Sequence, residues 1–211
     1  MGGVIAGIPT RHGWAAVVAS VLLVAVSACD GGGNETVDVG EEGDIVALAA
    51  PAAAALRQGL VTRLTAALEE GGPAGAVEFC SSEAIPLTSA IQAGMEGGLT
   101  LKRTSFRYRN SANAPDEAEE AALLRFERSL QGPEGPLSHL TQRVSETEYR
   151  YYEPLYVGEP CLQCHGVPER LAPGVGVILE ERYPGDLATG YAAGDFRGLI
   201  RVSVPSTALI R

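Results

Sequence analysis

Five consecutive residues, Cys161-Leu162-Gln163-Cys164-His165, restrict this chain of 211 residues more than any other stretch. They hold two thiols and an imidazole in one fixed local arrangement. Two intervening residues let both sulfurs reach one edge of a flat porphyrin and form thioether bonds with its former vinyl groups. A His directly after the second Cys can swing beneath that edge and place its ring on the iron. The motif points to one covalent haem c on Cys161 and Cys164, with His165 as an axial iron ligand. Gly166 is expected to let the chain leave the crowded macrocycle. Three plainer readings compete. A zinc site wants four ligands, and only Cys80 and His139 remain to complete one. A redox dithiol sits at a helix start after a buried strand, whereas Gly158-Glu159-Pro160 precedes this pair. A structural disulfide suits an exported chain equally well. Haem is favoured because the His follows directly and the N-terminus reads as an export signal.

That N-terminus opens with Arg11 and His12, followed by an uncharged run over residues 14–26 and then Ser27, Ala28 and Cys29. As a helix the run is roughly 20 Å long, short for a bilayer core of about 30 Å. A basic start, a short apolar run and small residues before a break describe a signal peptide, expected over residues 1–28. Val26-Ser27-Ala28-Cys29 also resembles a bacterial lipobox, in which Cys29 is acylated and becomes the new N-terminus. Simple cleavage after Ala28 is the alternative. Two or more acyl chains anchor stably, each CH₂ adding about 0.8 kcal/mol of membrane affinity. Asp30 suits retention at the inner membrane. Residues 29–44 are Gly-rich and acidic, and read as a lipid-anchored Cys with a flexible linker.

Residues 45–211 form the expected domain. Leu56, Leu60, Leu64 and Leu68 make a helical stripe, Gly71-Gly72-Pro73 ends that helix, and a second runs to about Ala84 with Val77 and Cys80 on one face. Pro86 should break or kink it. Residues 99–109 alternate as one strand carrying Arg103, Ser105, Arg107 and Arg109 on a single side. Asn113 or Ala114 then caps a helix with Pro115 in its first turn, and the helix closes at Gly132. Strands follow around 141–145, 149–157 and 198–204. Helices followed by mainly antiparallel strands give an α+β fold. A formal charge of −10 argues against a nucleic-acid partner, while 45% apolar residues suffice for a core.

The iron's second axial position has three candidates: Cys80, Met95 and His139. Met95 lies between glycines in a loop, His139 follows a Gly/Pro loop, and Cys80 is a lone thiol on a helix. Arg103, Arg107 and Arg109 either fork onto haem propionates or form a solvated strand face. Tyr149, Tyr151, Tyr152 and Tyr156 either wall a pocket or line a half-buried strand. Gly194-Asp195-Phe196-Arg197-Gly198 reads as a turn into the last strand.

Several stretches are similar to the family called Domain of Unknown Function 3365. They are 76–80 (Ala-Val-Glu-Phe-Cys), Arg103-Thr104-Ser105, 109–115 (Arg-Asn-Ser-Ala-Asn-Ala-Pro), 161–166, Tyr183-Pro184-Gly185-Asp186, Ala188-Thr189-Gly190-Tyr191 and 194–198. They run in the family's order over about residues 50–205. The resemblance implies a PAS-like antiparallel sheet flanked by N-terminal helices, with His165 and Cys80 as the two axial ligands. A thiolate stabilises ferric iron, and its loss on reduction opens a place for a small gas. The leading expectation is a membrane-tethered, exported sensor of redox state or gas that acts through a partner protein. An electron-transfer cytochrome is the second, favoured by Met95 or His139 ligation. A haem enzyme is the third, and it needs a distal acid–base group that only His139 can supply.

Overall fold

The first helix, α1 (Val39–Ser82), starts at Asp38, whose carboxylate accepts the Gly40 N–H at 2.9 Å. Glu41 and Glu42 in its first turn face the positive end of the helix. The helix therefore includes residues 39–44, whose glycines and acids read as linker in the sequence. The cap and the fully buried Ile45 hold them. Gly72, at φ 64° and ψ −166°, divides α1 into limbs over 39–71 and 73–82, and Pro73 opens the second, where a missing N–H is tolerated. By length and composition α1 could cross a membrane, but its face from Ile45 through Ala49, Ala52 and Ala53 to Leu56 is packed into a core. Helix α2 (Ala84–Ala93) follows, and Pro86 sits harmlessly in its first turn rather than breaking it.

The structure is a computed structural model that describes residues 1–3 and 37–209. The signal run, the lipobox, Cys29 and the linker to residue 36 lie outside the described residues. All the elements here belong to the unit Gly32–Arg211.

Four strands, β1 (Thr100–Thr104), β2 (Leu140–Arg143), β3 (Glu148–Tyr156) and β4 (Phe196–Pro205), form one antiparallel sheet in the order β1-β4-β3-β2. Alternation along the strands fills both faces. Ile200, Val202 and Val204 join Tyr149 and Tyr151 against α1. Leu199 and Tyr152 point the other way, onto Ala122, Leu123 and Phe126 of α3 (Glu117–Ser129). The fold is α+β, as expected.

Two boundaries move. The helix cap is Asp116, not Asn113 or Ala114. Asp116 accepts the Glu119 N–H at 2.9 Å while the Glu119 carboxylate accepts the Asp116 N–H at 3.0 Å, a reciprocal capping box. Residues 111–113 form a short 3₁₀ turn instead. The expected strand to Arg109 stops at Thr104. There the Ser105 hydroxyl donates to the Arg197 carbonyl at 2.7 Å and accepts the Arg107 N–H at 3.1 Å, turning the chain out of the sheet. Arg103 consequently shares no strand face with Arg107 and Arg109.

Candidate functional site

Past β3, Val157 is clipped to the start of β4 by paired backbone hydrogen bonds, its N–H to Asp195 O at 2.9 Å and its carbonyl from the Gly194 N–H at 2.8 Å. The chain then makes a 3₁₀ turn over Glu159–Cys161 and a single helical turn, α4 (Leu162–His165). Positions three apart lie on one side of a helical turn; Cys161 packs with Val157, Ala188 and Tyr191, and Cys164 with Val77, Val175 and Leu179. The two cysteines are separate thiols. Gly166 closes the turn, and a Cβ there would lie 2.6 Å from the Leu162 carbonyl oxygen. The turn itself therefore requires glycine here.

The 186–191 loop fastens this segment from outside. Gly190 N–H donates to Gly166 O at 2.7 Å, and Tyr191 N–H donates to His165 O at 2.9 Å. The His165 Nδ1–H donates to Ala188 O at 2.6 Å, which assigns the tautomer and leaves the Nε2 lone pair free. Tyr191 meets the ring edge-on at 6.3 Å. Burial, then the charges of Arg109 and Arg197, push the His165 pKa down to about 3, with the Ala188 bond opposing. A neutral imidazole with an open Nε2 is the form a metal accepts.

His165 and Cys161 line a cavity of about 310 Å³ under the first limb of α1. Its walls are largely apolar: Leu60, Val61 and Leu64 from α1, Leu155 from β3 and Ile200 from β4. Three arginines line the cavity: Arg57, which pairs with Glu153, and Arg103 and Arg197. Arg103 has no hydrogen-bond or ion-pair partner among the described residues, and burial lowers its pKa. Arg197 donates to Ser105 Oγ at 3.0 Å and to Arg107 O at 2.9 Å. Arg107 and Arg109 turn away from the cavity. Arg107 donates to the Leu187 and Thr189 carbonyls and lies 3.8 Å above the Tyr191 ring. Arg109 bridges Asp186 and Cys164 O. Of the three arginines expected at propionates, only Arg103 stands at the cavity.

Residues 37–205 match the Tll0287-like family. The chain belongs to that family. Its fold is similar to the crystal structure of the cyanobacterial heme-protein Tll0287, at a TM-score of 0.54 and 24% identity, over 81% of this chain and 98% of that one. No curated protein matches.

Within this Tll0287-like domain the three candidates for a second axial ligand separate. His139 stacks on Tyr151 at 5.6 Å and lies 3.7 Å from Glu42, beside the edge strand β2 and away from the cavity. Met95 packs on the α1-facing core. Cys80 sits on the second limb of α1, one turn from Val77, whose apolar cluster includes Cys164. Burial raises the Cys80 thiol pKa, while Arg103 and Arg109 act to lower it. Cys80 does not itself line the cavity, yet it is the candidate electrostatically coupled to the wall residue Arg103 and to Cys164. Of the four tyrosines, only Tyr156 reaches the cavity, since Tyr149, Tyr151 and Tyr152 belong to the two cores.

No group of three or more His, Cys, Asp or Glu converges among the described residues, so the ligand set of a closed zinc site is not assembled there. A porphyrin supplies four nitrogens itself and needs only axial ligands from a protein. Sequence reasoning missed Arg197 and the fastening role of Asp186, Ala188 and Gly190. Their only signal was membership of the stretches quoted for the family resemblance.

The His165 shift has a checkable consequence for the haem-free chain. Between about pH 6.5 and 3 the unfolded state holds a proton that the folded state lacks. Stability therefore rises with pH across that window and falls on acidification, by up to about 1.4 kcal/mol per pH unit. In acid-unfolding series, His165→Phe should lose the portion of sensitivity that begins near pH 6.5. Equal slopes for the two proteins would contradict the buried neutral imidazole.

Proposed function

We propose that this chain is a haem c protein, with Cys161 and Cys164 as the thioether residues, His165 as one axial ligand and Cys80 as the other. The observation that carries the reading is the His165 ring. Its Nδ1–H is committed to Ala188 O at 2.6 Å, and the ring lines an apolar cavity beside the Cys161 thiol. The cavity residues fit the group: apolar walls suit a porphyrin face, and the unpartnered Arg103 together with Arg197 suits its propionates. The heme-protein in the same family supports this assignment.

Bound haem supplies a one-electron centre whose potential and ligand affinity the protein adjusts. His165 offers a fixed, neutral nitrogen. Leu60, Leu64 and Ile200 give the inner wall an apolar surface, which strengthens charge interactions beside it. Cys80 would offer a thiolate that favours the oxidised state, a hold whose release on reduction would make the switch of a redox or gas sensor. Because Cys80 is on the limb of α1 beyond the Gly72 break, its release would act on that limb first. The domain is read as PAS-like, exported, held to the cell membrane through Cys29 and acting through a partner protein. A second reading, an electron carrier, is favoured by the exposed rim of the cavity, where Val61 and Tyr156 are 56% and 42% accessible.

Spectra of Cys80→Ala beside the parent protein, both matured in a host that attaches haem, test the ligand. The expected result is a shifted Soret band and a change of spin state, with unchanged haem content. Identical spectra would remove Cys80 and the sensor reading together. Carbon monoxide or nitric oxide binding to the reduced parent protein favours sensing. Fast exchange with a carrier and no gas binding favours electron transfer.

A further inference from the structure

The hydrogen bond that orients His165 ends on a backbone carbonyl, and that carbonyl is itself held by side chains. Ala188 N–H donates to Asp186 Oδ1 at 2.8 Å, so the loop bearing the acceptor is tied to a carboxylate two residues earlier. The other oxygen of the same carboxylate accepts from Arg109 Nε at 3.0 Å, with Arg109 Nη2 also 3.0 Å away. Arg109 Nη2 then reaches Cys164 O at 2.6 Å and Ala188 O at 3.4 Å. One guanidinium thus links the segment that carries the ligand to the loop that carries its acceptor. Both side chains are nearly enclosed, at 9% and 10% accessible, where such bonds are least diluted by water. A surface ion pair of this kind contributes little, but an enclosed fork on two backbone carbonyls fixes geometry.

We propose that Asp186 and Arg109 are positioning residues that set the electron donation of His165. The inference rests on the haem reading above. Neither residue lines the cavity, and both act through Ala188. The Asp186 carboxylate, accepting the Ala188 N–H, holds the 186–188 turn so that Ala188 O stays aligned with His165 Nδ1–H. A firm acceptor on Nδ1 makes Nε2 a stronger donor and favours the oxidised metal. Arg109 opposes this through its positive charge and its longer contact with the same oxygen, and Asp186 neutralises that charge. The pair therefore acts as a counterweight: removing the carboxylate weakens the acceptor and leaves the cation unbalanced. Both changes favour the reduced state.

The test is Asp186→Asn, which keeps an oxygen for the Ala188 N–H but removes the charge. The expected result is a midpoint potential raised by about 59 mV, a tenfold change in a one-electron equilibrium, at unchanged haem content and melting temperature. Asp186→Glu should return part of the shift. A fully loaded Asp186→Asn protein with the parent potential overturns the proposal while leaving haem binding intact. A parent protein that takes up no haem overturns the reading beneath it. Should Asp186→Asn fail to load, nitrogen-15 spectra of the haem-free proteins decide. The His165 Nδ1–H resonance, slow to exchange in the parent protein, should be lost or fast-exchanging in the variant. An unchanged resonance counts against the proposal.

Discussion

Changing Cys161 and Cys164 together to alanine should abolish haem that survives denaturing electrophoresis, from full staining to none. Thioether bonds need both sulfurs at the edge of the ring, and Cys161 ends the 3₁₀ turn that α4 continues through Cys164, three residues on. The remaining groups offer a different kind of hold. His165, Arg103, Arg197 and the apolar walls still shape a cavity of about 310 Å³, so any haem that stays should be extractable with acidified solvent. Far-UV circular dichroism of the double variant should match the haem-free parent protein, because beyond packing the two thiols make only the weak hydrogen bond from Cys164 Sγ to Pro73 O at 4.0 Å. Haem staining that persisted in the double variant would end the case for attachment through Cys161 and Cys164. Loss of staining with loss of helix signal would instead assign the two residues a structural role.

The second large effect concerns stability. Gly198→Ala should destabilise the domain by about 3 kcal/mol. Gly198 has φ 144°, where a side chain is strained in any surroundings, and here there is no room either. A Cβ would lie 2.4 Å from the Thr104 carbonyl oxygen and 2.8 Å from Ser105 Cβ. The first of these is backbone and cannot swing aside. The contact occurs where β1 ends and the chain turns out toward the cavity, so relief of the clash must move Thr104, Ser105 or Arg197. A fall in melting temperature of roughly 6–12 °C follows for a domain of this size. A variant melting within 2 °C of the parent, by calorimetry on matched samples, would show that β1 and β4 are less closely pressed than the structure has them.

The parts of this protein that could be read from the sequence are those set by residues near one another in the chain. The Cys161-to-His165 spacing is one, and the Gly71-Gly72-Pro73 break is another, since a positive φ and a missing N–H act locally. The N-terminal helices and the strands around 141–145, 149–157 and 198–204 followed from periodicity for the same reason, whereas the helix Val175–Arg182 did not. What could not be read depends on distant partners. The strand from residue 99 was expected to continue to Arg109 because its alternation persists. It stops at Thr104 because Ser105 bonds Arg197, 92 residues away. That one departure sends Arg107 and Arg109 to the 186–190 loop and leaves Arg103 with Arg197 at the cavity. The start of α1 at Val39 was hidden by glycines and acids that usually mark a linker; burial of Ile45 outweighs them. Asp116 was passed over as a cap because Pro115 precedes it and Asn113 looked suitable by residue type. The reciprocal Glu119 bond decides the matter.

The last strand in the sequence is not at the margin of the sheet. β4 lies between β1 and β3, and without it β1 has no neighbour while β2 and β3 form an isolated hairpin. A nascent chain grows from its N-terminus, so the two thiols emerge well before the strand that completes the walls around them. If a cofactor is joined to those thiols as proposed, the joining enzyme has an interval in which the turn is accessible and the pocket is still a half-built groove. Arrival of β4 then seals the arrangement, which makes the far end of the polypeptide the latch of the whole domain.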